Sequence, residues 1–233
     1  MKLGILKTDA VRDAWVPEFG EYPDMFMRLL GPRDPQLEFA VYDVMLGEYP
    51  QHVDDVDAYL VTGSKFSVYD DLDWIRSLLE FLRELHARRK KIVGICFGHQ
   101  AVAQALGGEA RKADEGWGVG LHKHRFATRP DWLDGADDEF AVLVSHQDQV
   151  VELPEDAEVL AGSSFCPNAV FQLGDHILTF QGHPEFVNAY SRAIIEYRWD
   201  LIGDEKAKEG LSSLEGEPET DRMAGWILNF LRA

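Results

Sequence analysis

A cysteine stands between two glycines in Gly94-Ile95-Cys96-Phe97-Gly98-His99-Gln100. An apolar run over residues 92–95 leads into it, and a helical pattern over 99–106 leads out, closed by Gly107-Gly108. A strand that turns sharply into a helix through G-x-nucleophile-x-G presents the nucleophile above the sheet edge, and its glycines tolerate the crowding of that turn. At the mouth of a helix a thiolate is favoured by the dipole, and the next amide, that of Phe97, faces the place where an oxyanion would develop. A small apolar cysteine packed between strand and helix fits the same residues.

A nucleophile of this kind needs a base, itself held by a third group. Of the eight histidines, His183 follows a strand-like run directly, in Gln181-Gly182-His183-Pro184-Glu185-Phe186. Parallel-sheet proteins gather functional groups at the carboxyl ends of their strands. In extended backbone, residues two apart project to the same side, so Glu185 can bond one imidazole nitrogen while the other faces Cys96. A surface His–Glu pair is the alternative reading of these residues.

Together the two segments resemble the class I, triad-type glutamine amidotransferase family, and within it the glutaminase domains of the GMP synthetase kind. Thr62-Gly63-Ser64-Lys65, Leu106-Gly107-Gly108 and Ser145-His146-Gln147-Asp148 agree with further family segments, and the likeness spans roughly residues 1–190. The resemblance implies a Cys96–His183–Glu185 triad and an oxyanion hole from the backbone of Phe97, Gly63 and Ser64. It also implies substrate contacts from Gln100 and from the backbone at Ser145 and His146. The chain departs from the family at two places. Gly63-Ser64-Lys65 stands where Gly-Gly-Pro is usual, which narrows the backbone allowed at the oxyanion turn, and His99 stands where Met is common. His99 reads as a packing residue beside the elbow, and Cys166, which precedes Pro167 in a loop, as structural.

These groups need a scaffold. Residues 3–6 and 92–95 read as buried strands and 37–44 and 57–62 as strands, alternating with helices over 25–30, 74–89 and 99–106, a rhythm that predicts a parallel sheet with crossovers. Asp73 sits where a helix N-cap or first-turn acid belongs. Short strands at 119–126, 140–145, 158–162, 169–173 and 176–180 predict an antiparallel extension. Residues 188–202 and 222–231 read as helices. Residues 8–24 read as a loop, and 203–219, rich in Glu, Gly, Lys and Ser, as a solvated mobile connection. The expected fold is α/β, an open doubly wound, mostly parallel sheet with helices on both faces; the resemblance makes it flavodoxin-like. Residues 1–233 form one domain in this reading, with 187–233 a C-terminal helical extension.

Composition narrows the partners. Forty-one acidic against 23 basic residues in 233 give a formal charge of −18, unfavourable for capturing nucleic acid or an anionic membrane. Two cysteines cannot build a secreted disulfide framework, and no apolar leader opens the chain, so a reducing, cytoplasmic setting is expected. No Cys/His spacing suggests a metal site and no phosphate loop is present, so no cofactor is expected. Trp117-Gly118-Val119-Gly120 reads as pocket wall. The resemblance implies hydrolysis of the γ-carboxamide of glutamine through a Cys96 thioester, with ammonia passing to a synthetase expected on a separate chain. A free-standing hydrolase or transferase of γ-glutamyl compounds uses the same triad and is the alternative. A non-catalytic regulatory subunit is a third reading, opposed by the joint presence of Cys96, His183 and Glu185.

Overall fold

The computed structural model describes residues 1–133 and 137–233; the span 134–136 of the expected domain lies outside the described residues. In chain order the elements are β1 (Lys2–Lys7), α1 (Val16–Phe19), α2 (Tyr22–Leu30), β2 (Glu38–Asp43), β3 (Ala58–Val61), α3 (Asp73–Ala87), β4 (Lys91–Ile95) and α4 (Phe97–Ala105). Then follow β5 (Glu109–Lys112), β6 (Gly118–Phe126), β7 (Glu139–His146), β8 (Asp148–Glu152), β9 (Ala157–Gly162), β10 (Val170–Leu173) and β11 (Ile177–Phe180). Helices α5 (Asn188–Tyr197), α6 (Trp199–Ile202), α7 (Asp204–Ser213) and α8 (Thr220–Arg232) complete the described chain.

A nine-stranded sheet runs in the order β2-β1-β3-β4-β11-β10-β9-β6-β7. Strands β2, β1, β3, β4 and β11 pair parallel, and the arm from β10 to β7 pairs antiparallel. The inner parallel strands β1, β3, β4 and β11 are apolar on both faces because both are covered, while β2 at the edge is exposed to half-buried. Leu3, Ile5, Leu60, Val93 and Ile95 pack on one side with Phe26 and Leu30 of α2 and Trp226 and Ile227 of α8. Their alternates Leu6, Tyr59, Val61 and Ile92 pack on the other with Ile75, Leu78 and Leu82 of α3 and Val102 of α4. A third cluster joins Phe186, Tyr190 and Ile194 to Val119 and Leu143 of the antiparallel arm.

Several sequence expectations need correction. The stretch 8–24, read as a loop, holds α1 and the start of α2, each with a proline in its first turn. Proline is tolerated there because that N–H has no intrahelical acceptor, and Glu21 and Asp24 form a capping box. The segment 203–219 holds α7, whose Ala207 and Gly210 are buried; a Cβ on Gly210 would lie 2.7 Å from Val119 Cγ2. The helix expected over 188–202 is broken at Arg198 into α5 and α6. One alternative offered for Asp73 holds and the other does not: it is a first-turn acid of α3, paired with Arg76, while Leu72 takes the cap position. A second sheet of β5 and β8 was not anticipated.

Candidate active site

The carboxyl ends of β1, β3, β4 and β11 converge on one edge of the sheet. There β4 passes into α4 through Cys96, whose φ of 51° and ψ of −99° are unusual for a residue with a side chain. The flanking glycines allow this turn by sheer proximity. A Cβ on Gly94 would lie 2.7 Å from the Gly98 carbonyl oxygen, and one on Gly98 would lie 2.5 Å from the Val61 carbonyl oxygen. Hydrogen bonds from Cys96 N–H to Phe180 O (2.8 Å) and from Gln100 N–H to Cys96 O (3.0 Å) hold the strained residue from both sides. Phe97 opens α4, so its N–H has no acceptor within the helix.

Strand register brings the second group to the first. Phe180 of β11 lies beside Ile95 of β4, so the residues just past each strand end meet. His183 then donates its backbone N–H to Leu143 O at 2.8 Å, and its Nδ1 lies 2.8 Å from Glu185 Oε1. The acceptor is a carboxylate, so Nδ1 is the protonated nitrogen of this pair. Burial alone would lower the His183 pKa, but the charges of Glu185 and Cys96 outweigh it and raise the value to about 10. Phe186 stacks on the imidazole, and a Cβ on Gly63 would lie 2.8 Å from His183 Cε1. Gln181 donates its Nε2 to Cys96 Sγ at 3.6 Å.

The turn after β3 is fixed by Thr8. Its hydroxyl lies 3.0 Å from Thr62 O and 2.9 Å from Gly63 O, and its N–H donates to Thr62 Oγ1 at 3.0 Å. In a trans peptide the N–H points opposite to the carbonyl, so the amides of Gly63 and Ser64 point away from Thr8. Lys65, where the family usually has proline, uses the N–H that proline lacks: it donates to Asp9 Oδ2 at 2.9 Å, while its Nζ pairs with Asp9 Oδ1 at 2.9 Å.

A cleft of about 680 Å³ opens over Cys96, walled by Ser64, Gln100, Trp117, Ser145, His146 and Arg198 among others. Gln100 donates Nε2 to Asp148 O (2.9 Å) and Gln181 Oε1 (3.1 Å), which leaves its own carbonyl oxygen as an acceptor. Arg198 donates to Ser145 Oγ at 3.1 Å. His146 Nδ1 lies 3.1 Å from Asp148 O, and burial pushes its pKa down to about 3. The Asp148 carboxylate accepts from Ser67 Oγ (2.5 Å) and Tyr69 OH (3.0 Å), which ties the turn after β3 to the far wall.

The family described as "Glutamine amidotransferase class-I" matches residues 32–196. The chain belongs to the class I glutamine amidotransferase family. It is 32% identical over 225 residues to Gamma-glutamyl peptidase 3 of Arabidopsis thaliana, covering 92% of this chain and 90% of that one. GMP synthase of Porphyromonas gingivalis is 31% identical over 144 residues, 60% of this chain and 27% of the synthase. A solved glutamine amidotransferase from Thermotoga maritima superposes with a TM-score of 0.74 at 19% identity, covering 99% and 96% of the two chains, which establishes the flavodoxin-like class I fold.

Within this class I framework, Glu185 bonds His183, Gly63 lies against both His183 and Cys96, Phe97 follows Cys96 into α4, and Ser64, Gln100, Ser145 and His146 line the cleft with Cys96. His99 lies elsewhere: fully buried, bonded to Thr179 Oγ1 at 2.8 Å and packed on Phe171, it is pushed by burial to a pKa of about 3. Burial pushes the Cys166 thiol up to about 12, the charge of Cys96 adding to the effect, and both cysteines are free. Among the described residues, no group of three or more His, Cys, Asp or Glu is placed to hold a metal ion, and no helix is long and apolar enough to cross a membrane. Sequence reasoning missed Thr8, Asp9, Gln181, Phe186 and Arg198. For Thr8 and Asp9 a signal existed, since they directly follow a buried parallel strand.

Proposed function

We propose that this chain hydrolyses γ-glutamyl amides through a thioester on Cys96, and that its substrates are γ-glutamyl peptides. The observation that carries the reading is the meeting of Cys96, on its strained turn, with a His183 that Glu185 holds from behind. In this mechanism the Sγ proton has already passed to His183 when sulfur attacks the γ-carbonyl carbon, and the amides of Phe97 and Ser64 receive the oxyanion. The tetrahedral adduct collapses, the C–N bond breaks and the proton on His183 goes to the departing amine. Water, deprotonated by the now neutral imidazole, then attacks the thioester carbonyl, the C–S bond breaks, the γ-carboxylate leaves and the proton from water rests again on His183. The raised pKa of His183 keeps the imidazolium available to the leaving amine at neutral pH.

Likeness to a γ-glutamyl peptidase over nine-tenths of both chains supports a peptide as substrate. The cleft, at about 680 Å³, lies within the roughly 300–1,000 Å³ of small-molecule sites and so has room for a γ-glutamyl peptide. The partial likeness to GMP synthase favours a second reading, glutamine hydrolysis with ammonia passing to a synthetase on a separate chain. The cytoplasmic setting belongs to the proposal, and the two free thiols suit it. Purified protein incubated with γ-glutamyl-leucine or glutamine should release glutamate and show a γ-glutamyl adduct on Cys96 by mass spectrometry. Release that continues unchanged in Cys96→Ala would remove the mechanism, and release from glutamine alone would select the second reading.

A further inference from the structure

The outer part of the cleft is built by pieces far apart in the chain: Arg12 and Trp15 from the segment after β1, and Tyr197 and Leu201 from α5 and α6. Arg12 is exposed, and its guanidinium carbon lies 3.8 Å from the centroid of the Tyr197 ring and 5.7 Å from that of Trp15. The two rings meet edge to face at 5.7 Å, forming a corner in which the guanidinium sits over the Tyr197 ring. An arginine stacked in this way keeps the fork of N–H groups along its edge free, a geometry that matches a carboxylate. Among the described residues no carboxylate pairs with it.

Charge makes that unusual. The chain carries −18 overall, yet three cations, Arg12, Lys65 and Arg198, line the cleft against two carboxylates, Asp9 and Asp148. Lys65 is neutralised on Asp9, and Asp148 is capped by the Ser67 and Tyr69 hydroxyls. Arg198 is turned inward to Ser145, which leaves Arg12 as the cation offered at the rim. Tyr197 and Leu201 beside it are 56% and 71% exposed, so apolar surface adjoins the charge.

We infer that Arg12, set on Tyr197 and Trp15, reads a carboxylate on the leaving part of the substrate. The preferred substrate is then a γ-glutamyl peptide with an apolar second residue and a free C-terminal carboxylate. This rests on the γ-glutamyl peptide reading and goes beyond it by naming what the rim selects. Glutamine, whose leaving group is ammonia, cannot use the rim.

The test compares γ-glutamyl-leucine with γ-glutamyl-leucinamide, which differ only in the terminal carboxylate. Wild-type kcat/KM should favour the acid by about tenfold or more; Arg12→Gln should bring the ratio within about threefold, and Arg12→Lys should restore part of it. A wild-type ratio near one, or a ratio that survives Arg12→Gln, overturns the inference. The same ratio should appear in the Kd values of the two compounds for the Cys96→Ala protein by calorimetry. That measurement involves no chemistry: a preference in Kd without hydrolysis by the wild type refutes the catalytic reading alone, while equal or undetectable binding of both compounds refutes the rim.

Discussion

The ring of Phe186 lies parallel to the imidazole of His183, with centroids 3.9 Å apart and planes 6° from coincidence. Phe186 is itself locked, packed edge-on against Tyr190 at 4.8 Å and buried to 2% exposure. Glu185 fixes one edge of the imidazole and Phe186 one face, so little rotation remains. Phe186→Leu keeps apolar volume but loses the flat support. It should lower kcat on γ-glutamyl substrates by about tenfold while costing under about 1.5 kcal/mol of stability. Steady-state kinetics beside urea melts would check this; a kcat at the wild-type level would show that Glu185 alone orients the ring.

Gly63 guards the other side of the same imidazole. The added methyl of Gly63→Ala would fall 2.8 Å from His183 Cε1, closer than such atoms approach, so the ring must shift. A displacement approaching 1 Å at a reacting group costs about a hundredfold in rate. The expected result is that loss in kcat with an unchanged far-ultraviolet circular dichroism spectrum, and full activity would show that the ring has room to yield.

Strain at Cys96 can be measured directly. In most helix or strand interiors Ala is more stable than Gly by about 0.5–1 kcal/mol. At Cys96, with φ of 51°, the order should invert. Cys96→Gly should therefore unfold at a higher urea midpoint than Cys96→Ala, by about 1 kcal/mol in free energy. Both variants should be inactive. The usual order, with Ala more stable, would show that the turn is unstrained.

Acid sensitivity follows from three buried histidines. Burial lowers His99 and His146 to about 3 and His124 to about 4, the charge of His122 contributing at His124 and His146. Since the unfolded pKa is about 6.5, the unfolded chain binds protons below that pH that the native state refuses. Stability should therefore fall as pH drops from about 6.5 towards 4, by up to about 1.4 kcal/mol per pH unit for each histidine. His183, with its raised pKa, is protonated in both states below about 6.5, so its stabilising contribution is complete there and is lost only as pH rises through about 10. Urea melts at pH 7, 6 and 5 should show falling midpoints, with a smaller slope in His124→Leu, where neither ring nitrogen has a partner among the described residues. A flat profile between pH 7 and 5 would contradict the assignment.

What the sequence revealed and what it hid have physical causes. The elbow was legible because close backbone approach admits only glycine at Gly94 and Gly98, which leaves a spacing that can be read. The His183–Glu185 pairing was legible from spacing alone: the link expected to be extended is a turn at Pro184 and Glu185, closed by Phe186 N–H on His183 O at 3.4 Å, and it still brings the carboxylate back to Nδ1. Helix α7 was not, because it buries only small residues, Ala207 and Gly210, and so lacks an apolar stripe at helical period. The corner made by Arg12, Trp15 and Tyr197 was hidden for a different reason: no local pattern states which distant element will cover a cleft. Phe186 read as one more aromatic, and its place over His183 depends on the isolated bridge between His183 and Leu143.

The position of β11 has a consequence for how the chain assembles. It slots between β4 and β10, so the strand that carries the nucleophile gains its second neighbour only after the whole antiparallel arm has been made. Until then β4 is an edge strand, and the apolar row from Ile92 to Ile95 offers unpaired N–H and C=O groups to any other chain. Nascent or truncated forms ending ahead of Ile177 are therefore expected to aggregate and to lack activity. Pairings this distant in sequence are slow to form, so activity is expected only after β11 has paired with β4.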